Sequence, residues 1–277
     1  MSEPAVLYET SDKVAIITLN RPDSLNAINT QLKMELTAAY LRADEDAATT
    51  VVVLRAAGRS FCSGYDISSG ATDKDPWRHD ALKWHAHLAE SLEFEMMPWY
   101  MRKPVIASVQ GHALGGGCEI TMFCDITIAA DNALFGEPEV RFSDVGPAIV
   151  MPWLVGYKKA RELLYLGDMI DADEAQRLGM VNRIVPLAEL PAATLKFARR
   201  LALISPEALY ASKLAISRGA DVAGFRNAMQ AGLDMVAPLY AAKSEVGLAF
   251  TDMTRKHGLR AALKWRRDQF DAVEREG

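Results

Sequence analysis

Residues 105–119 read VIASVQGHALGGGCE. The stretch VIASVQ, entered through Lys103-Pro104, has the apolar, β-branched character of a buried strand. Gly115, Gly116 and Gly117 then break the strand, and a short apolar helix follows, ending near Cys124. A strand that turns through glycines straight into a helix is the unit of an α/β fold. The N–H groups at the start of such a helix have no partner within it, so they can face an anion or a developing oxyanion. A glycine turn before a helix is in most proteins only a turn, and spacing alone leaves both readings open.

Outward from this stretch the same alternation continues. Downstream, DITIAA at 125–130 reads as a strand, and Pro147 is placed to open a helix. Helices are expected near 158–165 and 172–178, a short strand at 181–185, and helix almost throughout from 187. Upstream, KVAIITLN at 13–20 is a strand stopped by Arg21-Pro22-Asp23. Leu32, Leu36, Ala39 and Tyr40 share one face of a helix over 29–43, and TVVVLR at 50–55 is a buried strand. Residues 58–80 read as a loop and 81–97 as a helix. The expectation is an α/β core over 1–200 with a helical domain over 201–277.

Composition bounds the function. A chain of 277 residues can bury a large core without disulfide or metal staples. Half the residues are apolar and 24% are charged, which excludes a disordered or collagen-like chain. The 31 basic and 36 acidic side chains leave a net charge of −5, which argues against nucleic acid or an anionic membrane as partner. No apolar run approaches the roughly 20 residues that span a bilayer. Cys62, Cys118 and Cys124 show no C-x-x-C spacing, and MSEPAVLYETSDK carries neither a secretory nor a transit pattern, so a cytoplasmic protein with reduced thiols is expected.

Two loops and two glutamates stand out. RSFCSGYDI at 59–67 follows a buried strand, where open α/β sheets place ligands, and Ser63-Gly64 permits close backbone approach. Backbone donors from this loop and from the 111–119 loop could together form an oxyanion hole. Glu119 falls in the first turn of the helix after Gly117; the helix dipole favours its ionised form and burial its neutral form. Glu139 follows Pro138 in FGEPE. Two carboxyls beside an oxyanion hole suit acid–base work around a carbonyl, provided the acid's pKa is raised above the usual value of about 4.3. His85 and His87 point to opposite sides of a helix, and no H-E-x-x-H, G-x-S-x-G or P-loop pattern occurs, so no metal is expected.

With these residues in view, the chain resembles the crotonase superfamily, best known for enoyl-CoA hydratase, over roughly residues 10–250. RPDSLNAI at 21–28 resembles the family's coenzyme A-contacting segment, FCSGYDI its first oxyanion loop and GHALGGGCE its second. FGEPE resembles its second catalytic-carboxylate segment, and GDMIDADEAQRLGMVNRIVP at 167–186 a downstream family stretch. The resemblance implies a spiral of ββα turns with a C-terminal helical trimerisation domain, assembled as a homotrimer or homohexamer. It implies that the N–H groups of Ser63 and Gly116 hold the thioester oxygen, that Glu119 activates water, and that Glu139 protonates the α carbon. Leu25, Ala27, Ser63, Gly64, Tyr65, Asp66, Ile67 and Gly115 would line the acyl-CoA path. Coenzyme A would arrive as part of the substrate, with no other cofactor. Lys264, Arg266 and Arg267 are placed either to meet a CoA phosphate across a subunit interface or to form a solvated basic face.

The implied reaction is reversible hydration of a trans-2-enoyl-CoA. Another CoA-thioester reaction on the same fold (isomerisation, decarboxylation, hydrolysis or carbon–carbon cleavage) stays open, as does a non-catalytic acyl-CoA-binding role. Three departures bear on this. Ser63 and Tyr65 stand where small residues are common in the family. VGPAIVMPW at 145–153 replaces the family's glycine-rich Pro-Gly-x-Gly-Gly, and Pro147 has no N–H to donate. Residues 68–100 hold Trp77, Trp84, Trp99, His79, His85 and His87, which would either line a pocket for a bulky acyl group or pack against the core.

Overall fold

The computed structural model describes residues 3–67, 76–242 and 244–275. It opens with strand β1 (Val6–Ser11), then β2 (Val14–Leu19), helix α1 (Thr30–Glu45) and β3 (Val51–Ala56). Helices α2 (Ala81–Glu95) and α3 (Met97–Tyr100) lead to β4 (Val105–Val109), β5 (His112–Leu114) and α4 (Gly116–Phe123). Next come β6 (Ile126–Ala130), β7 (Leu134–Gly136), α5 (Met151–Val155), α6 (Tyr157–Leu166), β8 (Ile170–Asp171), α7 (Ala172–Arg177) and β9 (Arg183–Val185). The rest is helical: α8 (Leu190–Leu201), α9 (Pro206–Val222), α10 (Phe225–Ala242), α11 (Glu245–His257) and α12 (Leu259–Glu274).

Two sheets organise the described residues. The larger runs β1-β2-β3-β4-β6-β9, and all its neighbours are parallel except the antiparallel β1–β2 pair. The smaller runs β5-β7-β8. Each pass of the chain lays one strand in the large sheet and the next in the small one: β4 then β5, β6 then β7. The loop after β3 joins this pattern through a bridge from Cys62 to Ala113. This is the expected spiral of ββα turns.

Burial explains the order. Every residue of β2 is buried, as parallel strands covered on both faces require. One face packs under Leu32, Leu36 and Tyr40 of α1, which Asn29 caps by accepting from the Leu32 N–H at 2.9 Å. The other face, with Val14, Ile16, Val51, Val53 and Ile106, packs under Leu190 and Ala198 of α8.

Several elements differ from expectation. Strands β1, β5, β7 and β8 have no clear apolar run. β5, β7 and β8 are two or three residues long and are held by pairing rather than by composition. Pro147 does not open a helix: residues 144–150 are irregular, and α5 starts at Met151 with Pro152 in its first turn. Among the described residues no helix is long and apolar enough to cross a membrane.

Candidate active site

Two loops are zipped together by backbone hydrogen bonds. Phe61 N–H donates to Gln110 O at 2.8 Å, Cys62 N–H to His112 O at 2.9 Å, and Leu114 N–H to Cys62 O at 2.9 Å. Behind them, buried Asn26 donates to Ala57 O and Ser60 O, both at 2.9 Å, and so fixes the segment containing Leu25 and Ala27 against the first loop. Arg21 pairs with Asp66 at 3.1 Å on the same seam. Ile67, beyond it, is exposed.

The backbone donors sort themselves by partner. The Ser63 N–H, expected to be the first oxyanion donor, is engaged by Leu25 O at 3.1 Å. On either side of Tyr65, Gly64 O accepts from Ile28 N–H at 2.8 Å and Asp66 N–H donates to Ile28 O at 3.0 Å. This pairing leaves the Tyr65 N–H with no acceptor among the described residues, and the free donor of this loop is therefore at 65, not 63. On the second loop, Gly115 N–H donates to Gly136 O at 2.9 Å, and Gly115 O accepts from Cys118 and Glu119. Gly116 N–H, at the first position of α4, makes no such bond among the described residues. A Cβ at Gly116 would come within 2.7 Å of the Tyr65 ring, so the two loops are in contact where these two donors lie.

The carboxyls converge on the same place. Gly115 has φ +51°, and a Cβ there would sit 2.9 Å from Glu139 Oε1, so glycine is required on both counts. Glu139 lies in a 3₁₀ turn, Pro138–Phe142, and reaches back over Gly115. Glu119 is 1% exposed, and among the described residues neither of its carboxyl oxygens has a hydrogen-bond donor. Gly146, in the irregular segment after Glu139, lies so close that any Cβ there would run into Glu119 Oε1. Sequence reasoning missed two further buried glutamates, Glu95 and Glu137. Glu95 had a signal: on α2 it continues the apolar stripe Trp84, Leu88, Leu92 rather than the solvent face. Glu137 sits beside Pro138 with no periodicity to mark it.

Desolvation dominates the electrostatics. Burial raises the Glu119 carboxyl far above the usual range, and the nearby charges of Glu95, Glu137 and Glu139 add to it. The conflict between helix dipole and burial at Glu119 is thus decided for the neutral form. Burial also pushes Glu139 up to about 7, Glu95 to about 8 and Asp144 to about 6, and it raises Glu137 strongly.

Other expected residues lie elsewhere. Trp84 packs on Tyr240 at 4.9 Å between ring centroids, and the Tyr240 hydroxyl donates to Val145 O at 3.0 Å, next to Gly146. Trp99 instead stacks on Phe225 at 4.5 Å. His85 pairs with Asp234 at 2.8 Å. The Trp77 side chain lies outside the described residues. On α12, Lys264 pairs with Asp268 at 2.6 Å and Arg266 donates to Arg141 O, so both are engaged within the chain. Among the described residues no three His, Cys, Asp or Glu side chains are grouped as metal ligands.

A model of the enoyl-CoA hydratase/isomerase family matches residues 9–252. The crotonyl-CoA hydratase of Syntrophomonas wolfei is 34% identical over 281 aligned positions, covering 98% of this chain and 99% of that protein. The short-chain-enoyl-CoA hydratase of Clostridium acetobutylicum is 38% identical over 218, covering 77% and 81%. The crystal structure of an enoyl-CoA hydratase/isomerase from Xanthobacter autotrophicus Py2 superposes with a TM-score of 0.91 at 36% identity, covering 96% of this chain and 98% of that one.

Proposed function

The chain belongs to the enoyl-CoA hydratase/isomerase family, and on that premise we propose that it adds water reversibly across the double bond of a trans-2-enoyl-CoA. The thioester oxygen sits between the N–H groups of Tyr65 and Gly116. Both are backbone donors without an acceptor among the described residues, held in touching loops, and this single observation carries the reading most directly. Such donors act on the charge that develops on the thioester oxygen as the enolate forms, and each is worth about 3 kcal/mol at the transition state.

The two glutamates divide the proton work. Glu119 offers two buried oxygens without donors, which suits them to accept from a water molecule. In its ionised form, which burial makes the minority form of the unliganded site, Glu119 takes a proton from the water as the water oxygen bonds to the β carbon, and the double-bond electrons move onto the thioester as an enolate. Glu139, raised to about 7, keeps its proton in about half of the molecules at neutral pH and delivers it to the α carbon. The sum is one water added, with one proton returned to the site as another leaves. Coenzyme A belongs to the substrate, and the chemistry uses only side chains and backbone of this chain.

A time course with short, long and aromatic trans-2-enoyl-CoA thioesters, with products weighed by mass spectrometry, tests this. The expected product is heavier by one water. Replacement E119Q or E139Q should lower kcat by about 10²- to 10⁴-fold, the usual worth of a general acid or base. Loss of carbon dioxide, release of free coenzyme A, or a shifted double bond would overturn the hydratase reading in favour of a sister reaction.

A further inference from the structure

The hydration chemistry leaves two buried glutamates unused, Glu137 and Glu95. Glu95 is the last residue of α2 and is fully buried. Its Oε1 accepts from the Tyr65 hydroxyl at 2.6 Å, and its Oε2 has no donor among the described residues. It also overlies the second oxyanion loop: a Cβ at Gly116 would lie 3.2 Å from Glu95 Oε1. Glu119 sits one helical turn beyond Gly116 on the same face of α4. Among the described residues no donor is bonded to either oxygen of Glu119 or to Glu95 Oε2, and each of the two carboxyls perturbs the ionisation of the other. Two carboxylates repel, whereas a carboxyl and a carboxylate bond through one proton.

We propose that Glu95, anchored by the Tyr65 hydroxyl, is the positioning partner of Glu119, the two carboxyls holding one proton between them so that Glu95 sets when Glu119 can act as a base. The inference rests on the hydratase reading for the role of Glu119 but not for the pairing itself. The other groups facing the pair are Glu139 from the 3₁₀ turn, Glu137 beside it, Lys33 from α1 and Tyr240 from α10. Lys33 favours an ionised Glu95, and Glu139 opposes it. The Tyr65 donor bond also favours the ionised form of Glu95, which puts the shared proton preferentially on Glu119 in the unliganded site.

The test pairs E95Q with Y65F. Glutamine keeps the volume and still accepts from the Tyr65 hydroxyl, but it cannot carry charge or share the proton. In E95Q the acid limb of the kcat–pH profile should move down by about one pH unit or more, because Glu119 then ionises without a charged neighbour. Y65F removes the donor that keeps Glu95 ionised, so the shared proton moves toward Glu95 and the limb should also move down, by less than in E95Q. Infrared titration of the unliganded protein gives an activity-independent reading. The carboxyl band assigned by its loss in E119Q should disappear at lower pH in E95Q than in the parent. An unmoved band and limb would overturn the pairing. A raised KM with an unmoved pH profile would also overturn it, since Glu95 would then be contacting substrate. If the parent hydrates none of the thioesters, the hydratase reading fails while the infrared titration still decides the pairing.

Discussion

Gly146 has no side chain because Glu119 occupies the space that one would fill. It is not a positive-φ glycine; close approach alone demands it. G146A should displace the Glu119 carboxyl, and a shift of about 1 Å in a reacting group costs about 10²-fold in rate. The expected outcome is a fall in kcat of that order with little change in KM, and steady-state kinetics on the best enoyl-CoA checks it. The local motifs made Glu119 and Glu139 readable, because glycine runs and a proline mark unusual backbone in any context. The N–H inventory was not readable. Whether Ser63 or Tyr65 keeps a free donor depends on Leu25 and Ile28, more than thirty residues earlier, which claim the neighbouring groups.

At the scale of elements, one buried lysine ties the helical tail to the sheet. Lys213 of α9 is 7% exposed. It donates to Asp125 Oδ2 at 2.7 Å, to Pro98 O at 2.6 Å and to Lys103 O at 3.1 Å. Asp125 in turn accepts from Val105 N–H at 2.7 Å, at the start of β4. K213M would leave the Asp125 carboxylate and two carbonyls without this donor, and such a loss costs about 1–3 kcal/mol. Chemical denaturation should show a loss in this range; a loss under about 1 kcal/mol would mean that water replaces the lysine. The strands and helices with strong periodicity, β2, α1, β3 and β4, were legible within a few residues. The two- and three-residue strands were not, because their pairing partners lie on other turns of the spiral.

At the scale of the molecule, the buried carboxyls make stability depend on pH in a definite direction. Glu95, Glu137, Glu139 and Asp144 all have folded pKa values raised above the unfolded range. Between an unfolded value of about 4.3 and folded values of about 6 to 8, the folded protein therefore binds more protons than the unfolded chain. Stability then falls as pH rises through that window. The melting temperature should drop from pH 5 to pH 8, and E137Q, which removes one of these groups from outside the proposed proton pathway, should flatten the drop. E137Q should therefore gain stability relative to the parent at pH 8 and not at pH 5. A parallel pH dependence in parent and variant would show that Glu137 ionises without penalty.

The sequence by itself determined the α/β alternation, the helical tail, the two glycine-bearing loops and the pair Glu119 and Glu139, because each is written in local composition: periodicity, turn residues and short motifs. Only the tertiary structure decided which N–H groups stay free, that Gly146 presses on Glu119, and that Glu95 and Tyr65 join the site. Those outcomes depend on contacts between segments tens of residues apart. Burial, which sets the charge state of every carboxyl in the cluster, is a property of the packed molecule and of no single stretch of it.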